Sequence, residues 1–356
     1  MTTPGLPTSR VAFIGAGHVG ATAAYATMLR ALFEEIVLID HNQALAASEA
    51  IDLAHANALA RPARIWAGDY GDAAGAQVAI LTAGAASKGS ESRLALAARS
   101  AAIVGDCAQQ LKEAGFAGIL IVASNPVDLM TVVATRHSGL DAGRVIGTGT
   151  LLDSARLKHR LSADLSVAPG AIDGYVLGEH GDSEVAAFST VRIGGLSLAE
   201  FTGAGGEIDK HAIADEVRCG GYRVIEGKGY TSFGIATAIV RITEAVLRDE
   251  HAVLPVSSWV ENAYGMDAVC LSLPAVISGS GIERVLLPDL DNAEQDALRA
   301  SAATLRAALA TLDTPSGPQG TAPTGPPKGK GHFTAFHSAS EEVNSARQRA
   351  AAQTKE

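Results

Sequence analysis

Three glycines near the N-terminus have the spacing of a phosphate-binding turn. Gly15, Gly17 and Gly20 stand in GAGHVG, between an apolar run and an Ala-rich segment. Gly15 suits a tight turn, Gly17 lets the backbone approach a pyrophosphate, and Gly20 allows helix and strand to pack closely. The free N–H groups of the following helix, which begins near Val19, would favour the phosphate charge. By itself the motif is weak, because glycine-rich turns without a ligand are common.

A second apolar run ends in Ile39-Asp40, about 20 residues after the last glycine. In dinucleotide-binding folds a carboxylate at this place binds the ribose hydroxyls of the adenosine. Asp40 would repel the 2′-phosphate of NADP, so the two features together predict NAD as the cofactor. The competing interpretation is a structural turn and an ordinary surface aspartate. His18 suits a backbone-lined turn, and we expect no catalytic role for it.

Further short motifs follow along the chain. They are TAGAASKGSESRL at 82–94, SNPVD at 124–128, GTGTLLDSAR at 147–156, GEHGDS at 178–183, KGYTS at 228–232 and CLSLPAVI at 270–277. Together with GAGHVG they make the sequence similar to the L-lactate dehydrogenases of the lactate/malate dehydrogenase family, over nearly all of the span from Val11 to Leu312. The resemblance implies NAD-dependent hydride transfer between a small 2-hydroxy acid and its 2-oxo acid, with L-lactate and pyruvate as the expected pair.

The resemblance assigns the acid–base role to His180. Hydride transfer to a 2-oxo acid leaves an alkoxide that needs a proton, and histidine has a suitable pKa. Asp153 matches the family's partner aspartate, which would hold the imidazole in one tautomer and stabilise its cation. Arg156, three residues later, would bind the substrate carboxylate through two charge-assisted hydrogen bonds. The competing interpretation of Asp153 and Arg156 is a helical salt bridge.

The resemblance also implies the remaining site residues. Arg93 ends the Gly/Ser-rich stretch Gly84–Ser92, expected to be a mobile loop, and would polarise the reacting carbonyl when the loop closes. Asn125 would contact the substrate or the nicotinamide, and Thr231 would lie beside the variable end of the substrate. The other positions that match the cofactor lining are Tyr70, Gly84, Ala85, Ser124, Thr148 and Ile235, the last against the nicotinamide ring. No metal site is expected.

Ser87 departs from the family pattern where the substrate side chain is recognised. Lactate enzymes carry Gln there and malate enzymes carry Arg, which pairs with the second carboxylate of oxaloacetate. Because a buried unpaired charge costs several kcal/mol, we expect poor malate activity and tolerance of 2-oxo acids longer than pyruvate. A broader-specificity L-2-hydroxyacid or malate-type dehydrogenase is therefore the alternative. A catalytically idle NAD-binding protein is a more remote one.

Two further departures concern regulation. Lys158 and Asp173 stand where many bacterial relatives have an Arg and a His that bind fructose 1,6-bisphosphate. An aspartate repels phosphate, so we expect no activation by this sugar phosphate. Family precedent suggests a homotetramer.

The elements that must position these residues alternate between short apolar runs and helix-forming segments. The predicted strands are Val11–Ile14, Ile36–Ile39, Val78–Thr82, Ile119–Ala123 and Val145–Ile146, with helices at Val19–Leu32 and Leu94–Ala114. This alternation predicts an α/β fold, a Rossmann-type doubly wound parallel sheet covered on both faces. We assign it to an NAD-binding domain of residues 11–150, after an N-terminal tail of residues 1–10.

After residue 150 the pattern predicts an α+β substrate domain, residues 151–312. It has a helix through Arg156 and Arg160, a strand near Tyr175–Leu177, and helices at Ile213–Glu226, Thr231–Glu250 and Asn292–Leu312. The following stretch TPSGPQGTAPTGPPKGKG cannot bury enough apolar surface to offset its ordering entropy. We expect residues 313–356 to form a disordered tail, with a partner-docking segment as the alternative.

Composition narrows the function classes. A formal net charge of -10 disfavours nucleic acid as a partner. No apolar run approaches the roughly 18 residues that span a bilayer, and Met1–Arg10 lacks the apolar centre of a secretory signal. The isolated cysteines Cys107, Cys219 and Cys270 are typical of a reducing compartment. We therefore expect a cytoplasmic protein whose partner is a small-molecule 2-oxo or 2-hydroxy acid, without membrane association.

Overall fold

The first half of the chain builds a six-stranded parallel sheet. The computed structural model describes residues 9–85, 93–203, 206 and 208–313. Its first strands are β1 (Arg10–Ile14), β2 (Glu35–Ile39), β3 (Arg64–Ala67), β4 (Val78–Leu81), β5 (Ile119–Val122) and β6 (Val145–Gly147). They are parallel in the spatial order β3-β2-β1-β4-β5-β6. The chain thus reverses its winding direction between β1 and β4, the place where such sheets bind ligands.

Helices cover both faces of this sheet, as the sequence predicts. They are α1 (His18–Leu29), α2 (Gln43–Asn57), α3 (Tyr70–Ala73), α4 (Arg93–Glu113) and α5 (Val127–Ser138). Successive side chains of β1 enter different cores because the side chains of a strand alternate in direction. Ala12 and Ile14 pack with α4 and α5, whereas Val11 and Phe13 pack with α1 and α2.

The second half begins with a smaller antiparallel sheet. Its elements are α6 (Leu151–Leu165), β7 (Ile172–Leu177), β8 (Val185–Ile193), β9 (Leu196–Ser197), α7 (Leu198–Thr202), α8 (Lys210–Lys228) and α9 (Phe233–Leu247). The strands pair in the order β7-β8-β9. A third core, which includes Leu157, Val176 and Val217, joins this sheet to α6 and α8.

The last strands return to the large sheet. β10 (Ala252–Val260) pairs antiparallel with β6, and β11 (Val269–Ser278) and β12 (Gly281–Val285) follow antiparallel. The last described element is α10 (Asn292–Asp313). The α+β character expected of the second half is confirmed, but three of its strands extend the sheet of the first half to nine strands.

Two expectations drawn from composition concern membrane helices and cysteines. No helix of the described residues has both the length and the apolarity that a membrane crossing requires. The three cysteines carry free thiols, and Cys107 and Cys270 are buried. The predicted tail beyond Asp313 lies outside the described residues.

Candidate active site

The three glycines of the turn after β1 have different surroundings. Gly15 has a φ of +108°, and a Cβ there would lie 2.7 Å from the backbone nitrogen of Ala83. A Cβ on Gly20 would lie 1.9 Å from the carbonyl oxygen of Gly15, so α1 and β1 approach closely here. Gly17 has no atom within 4 Å of its Cβ position, and it caps α1 without a side-chain hydrogen bond. The helix N-terminus is therefore open to an anion above Gly17.

Asp40 follows β2 and turns its carboxylate toward this glycine turn. Its Oδ2 accepts a hydrogen bond from the backbone N–H of Ala16 at 2.8 Å, and its Oδ1 accepts one from that of Asn42 at 2.8 Å. Oδ1 also lies 2.9 Å from Nδ1 of the exposed His41, so it is Oδ2 that keeps a lone pair for another donor. The carboxylate is thus fixed beside the turn, where a ribose hydroxyl could reach it.

The other predicted cofactor positions of the first half cluster at the carboxyl ends of β4, β5 and β6. The Ser124 hydroxyl donates to the carbonyl oxygen of Ala83 at 2.6 Å, and a Cβ on Gly84 would lie 3.9 Å from that of Ser124. Ala85 donates its N–H to Ser100. Thr148 is buried and donates its N–H to Val122 at the end of β5, whereas Asn125 is exposed. These residues and the glycine turn lie at the carboxyl ends of the parallel strands, where such sheets bind ligands in a groove.

Tyr70 begins α3 and packs toward α4. Burial raises the pKa of its phenol above the ordinary range, and the neighbouring Cys107, which shares a hydrogen bond with it, adds to this rise. The ring also packs on the core beside β2 and β4.

Two predicted positions come from the second half. Ile235, in the first turn of α9, and Val19, in the first turn of α1, are both partly buried and pack on the same core. Thr231 is partly buried and stands two residues before α9. The start of α9 therefore lies beside the helix that carries the glycine turn.

His180, Asp153 and Arg156 come together in one hydrogen-bonded group. The Nδ1 of His180 lies 2.5 Å from Oδ2 of Asp153, and Arg156 Nη1 donates to Oδ1 of the same carboxylate at 2.5 Å. Asp153 is 1% exposed, whereas the His180 and Arg156 side chains keep 29% and 23% exposure. One buried carboxylate therefore orients two groups that reach the protein surface.

Asp128 joins this group although the sequence analysis assigned it no role. Its Oδ2 accepts the backbone N–H of His180 at 2.8 Å, and its Oδ1 accepts the Ser257 hydroxyl at 2.6 Å. It lies in the first turn of α5, where the helix dipole favours an anion. The sequence signal for a role of Asp128 is its position at the end of the SNPVD motif. Burial raises its pKa to about 6, against the two hydrogen bonds and the charge of His180.

Glu184 is a further carboxylate that the sequence analysis missed, directly after GEHGDS. Polar atoms of Glu184, Asp153 and His180 lie within 4.8 Å of one another. Burial, followed by the charge of Asp153, raises the pKa of Glu184 to about 8, against attraction from His180, Arg156 and Arg218. Burial thus favours the neutral acid form of Glu184 beside the ion pair.

These carboxylates shift the titration of His180. Burial lowers the pKa of the imidazole, but the charge and hydrogen bond of Asp153, with smaller contributions from Asp128 and Glu184, raise it to about 9. For Asp153, burial favours the neutral acid, yet His180 and Arg156 hold its pKa below the ordinary value. The raised pKa favours the protonated form of His180 at neutral pH.

The structure does not describe the side chains of two predicted site residues, Ser87 and Arg93. Ser87 lies outside the described residues, as does most of the predicted loop. The backbone of Arg93 begins α4.

Comparison with known proteins matches both halves of the chain. Residues 9–147 match the NAD-binding domain of lactate/malate dehydrogenase, and residues 150–314 match its alpha/beta C-terminal domain. The chain is 41% identical over 307 residues to an L-lactate dehydrogenase of Thermus aquaticus, covering 85% of this chain and 99% of the relative. It is 43% identical over 309 residues to one of Moorella thermoacetica, covering 85% and 98%.

Solved structures agree with this assignment. A lactate dehydrogenase from a deep-sea metagenome library, MGS-M5, is similar with a TM-score of 0.84 and 38% identity, covering 87% of this chain and all 100% of that one. A minor L-lactate dehydrogenase of Enterococcus mundtii, in its ligands-bound form, gives 0.83 and 36%, covering 86% and 99%. On this similarity and on the matches of both its halves, the chain belongs to the lactate/malate dehydrogenase family.

Proposed function

We propose that this NAD-dependent dehydrogenase interconverts pyruvate and L-lactate. The observation that carries the proposal is the shared anchor at Asp153, which binds a protonated imidazole and a guanidinium side by side. A 2-oxo acid has a carbonyl oxygen that needs a proton next to a carboxylate that needs a cation. His180 and Arg156 offer these two partners together.

The residues around the glycine turn fit the cofactor. The open space at Gly17 and the uncapped start of α1 suit a pyrophosphate, and Asp40 stands where the adenosine ribose would bind. NAD, when bound, supplies or accepts the hydride. Ser124, Thr148 and Asn125 would line the groove toward the nicotinamide, with Ile235 against the ring.

His180 handles the proton in this proposal. With Nδ1–H donated to Asp153, Nε2–H remains to protonate the carbonyl oxygen as the 2-oxo acid is reduced. In the reverse direction a neutral Nε2 takes the proton of the hydroxyl group. Asp153 keeps the ring in one orientation and compensates its charge.

The other residues bind and polarise the substrate. Arg156 would bind its carboxylate through two hydrogen bonds, and Arg93 would polarise its carbonyl group. Asn125 would contact the substrate or the nicotinamide, and Thr231 would lie beside the variable end of the substrate. No metal enters the proposal, because both oxygens of Asp153 are already paired with Arg156 and His180, and the guanidinium would repel a cation.

The relatives do not favour a malate-type or broad 2-hydroxyacid activity, since those compared above are lactate dehydrogenases. Tolerance of longer 2-oxo acids, expected from Ser87, stays a prediction about a residue outside the described part. An idle NAD-binding protein would have no use for the His180–Asp153 pair, whose carboxylate is buried at a cost in desolvation.

We also infer how the protein is organised. It has an NAD-binding domain of residues 11–150 and a substrate domain of residues 151–312, and it forms a homotetramer in the cytoplasm. Membership of the family supports the two domains, the location and the oligomeric state.

The test follows NADH oxidation by absorbance with pyruvate, oxaloacetate, 2-oxobutyrate and 2-oxo-4-methylpentanoate. Pyruvate should turn over well, and His180→Ala should lower kcat/KM about 10²- to 10⁴-fold, the usual effect of a lost general acid. His211→Ala is the matched control, because His211 forms an exposed His–Asp pair with Asp215 on α8 and should leave the rate unchanged. Equal rates in wild type and His180→Ala would refute the proposal. A clear preference for oxaloacetate would move it to malate.

A further inference from the structure

His18, inside the glycine turn, stacks on Tyr230 from the second half of the chain. The ring centroids are 3.9 Å apart and the planes differ by 13°. His18 is exposed and Tyr230 is 37% exposed, so the pair lies at the surface. Stacked rings attract each other beyond the effect of their buried area. The pair therefore links the two segments without being required for the fold.

The two rings belong to segments with different tasks in the proposed function. His18 directly follows Gly17, where the backbone is open to the pyrophosphate. Tyr230 directly precedes Thr231, the residue assigned to the variable end of the substrate. Each ring therefore belongs to a residue that is bonded directly to a proposed binding residue, and the stack joins the two binding segments.

A lysine supports the Tyr230 side of the contact. The Nζ of Lys228 lies 4.3 Å from the ring centroid of Tyr230 and 3.9 Å from that of Phe233. It also reaches the hydroxyl of the buried Ser232 at 3.5 Å. The side chain of Lys228 thus contacts three residues of the segment from Lys228 to Phe233, including Tyr230 of the stack.

We propose that the His18–Tyr230 stack is a clasp that couples cofactor binding to substrate binding, and that its two residues are positioning residues. The proposal rests on the proposed function, since it needs a nicotinamide dinucleotide over Gly17 and a 2-oxo acid beside Thr231. A cofactor that orders the glycine turn also orders His18. Through the stack it also orders Thr231 in its binding position. Substrate binding then loses less conformational entropy.

Coupling of this kind is reciprocal in binding free energy. A substrate analogue that orders Thr231 must therefore strengthen cofactor binding by the same factor. If the stack carries 0.5–1.5 kcal/mol, losing it should reduce this factor about two- to tenfold.

The experiment measures the Kd of NADH by fluorescence titration, with and without saturating oxamate, a non-reducible isostere of pyruvate. The ratio of the two values is the coupling factor. We expect His18→Ala and Tyr230→Ala each to lower it about two- to tenfold, and the double variant to lower it no further. His18→Phe and Tyr230→Phe keep a stacked pair and should retain the wild-type factor.

Leu59→Ala is the control, because it removes a 94% exposed apolar side chain from the connection between α2 and β3, outside the glycine turn and the segment from Lys228 to Phe233. Its coupling factor should equal that of the wild type. Unchanged coupling in His18→Ala, or additive losses in the double variant, would overturn the clasp. A wild type that binds NADH and reduces pyruvate while showing these results leaves the proposed function intact, whereas a wild type without NADH binding removes that function itself.

Discussion

At the scale of single residues, His180 faces carboxylates on three different segments. Asp153 comes from α6, Asp128 from α5, and Glu184 from the chain just before β8. Arg156 and Arg218 lie beside Glu184 and lower its pKa. At His180 the carboxylates, Asp153 first, outweigh the effect of burial and raise the pKa of the imidazole to about 9. The protonated imidazole, which reduction needs, is therefore the resting form at neutral pH.

This charge state predicts opposite pH dependences for the two directions. Pyruvate reduction uses the cation, so its kcat/KM should stay level around neutrality and fall as pH rises through about 9. Lactate oxidation uses the neutral ring, so its kcat/KM should rise through the same region. Initial rates in both directions over a pH series at constant ionic strength provide the measurement. A lactate profile that is already level at pH 7 would contradict the raised pKa.

Asp128 should act on His180 through its charge. Asp128→Asn keeps a side chain of the same shape but removes a negative charge that helps to raise the pKa of His180. The rising limb of lactate oxidation should consequently move to lower pH, with a smaller change in the maximal rate. Asp296→Asn, a 75% exposed carboxylate on α10, is the control and should not move the limb. An unshifted limb in Asp128→Asn would leave Asp128 with a packing role only.

The sequence predicts His180, Asp153 and Arg156 because they stand in recognisable motifs. Asp128 also stands in a motif, SNPVD, but its role depends on a backbone N–H 52 residues away in the chain, which the motif does not reveal. Nor does the sequence predict the His18–Tyr230 contact, which depends on how α1 and α9 pack. Residue types are visible in a sequence, whereas contacts between distant segments are not.

At the scale of elements, the sequence predicts those strands that are continuous apolar runs. These are β1, β2, β4, β5 and β6, whose predicted bounds are close to those in the structure. The short β3, with a partly exposed RIWA run, lacks that signal. The pairing of β10 with β6 could not be foreseen, because it joins segments about a hundred residues apart. The predicted helix Thr231–Glu250 is shorter in the structure, where α9 spans Phe233–Leu247.

Two glycines at the end of α8 allow a test of helix energetics. Gly227 lies within the helix with nothing within 4 Å of its Cβ position, whereas Gly229 caps it with a φ of +87°. Gly227→Ala should raise the free energy of unfolding by up to about 1 kcal/mol through helix propensity. Gly229→Ala should lower it by about 1–2 kcal/mol, because the left-handed conformation strains a Cβ. Urea unfolding at a fixed protein concentration measures both, and shifts of the same sign would contradict this account.

At the scale of the whole molecule, the acidic character of the chain bears on control by phosphates. Asp173 lies exposed on β7, in register with Arg192 on β8, and Lys158 lies on α6. We expect fructose 1,6-bisphosphate to leave the KM for pyruvate unchanged. The assay compares KM with and without this compound, using sulfate at equal ionic strength as the control. A marked fall in KM with the sugar phosphate alone would show that Asp173 does not exclude it.

The return of β10 to the large sheet has a consequence for synthesis on the ribosome. β6 ends at Gly147 and its neighbour begins only at Ala252, so the ribosome must add about a hundred residues before that edge can be paired. At translation speeds of about 5–20 residues per second, the delay lasts roughly 5 to 20 s. During that interval the nascent chain presents an open sheet edge to other chains. Premature termination between these strands would therefore release a fragment prone to aggregate, even though it contains the whole nucleotide-binding half.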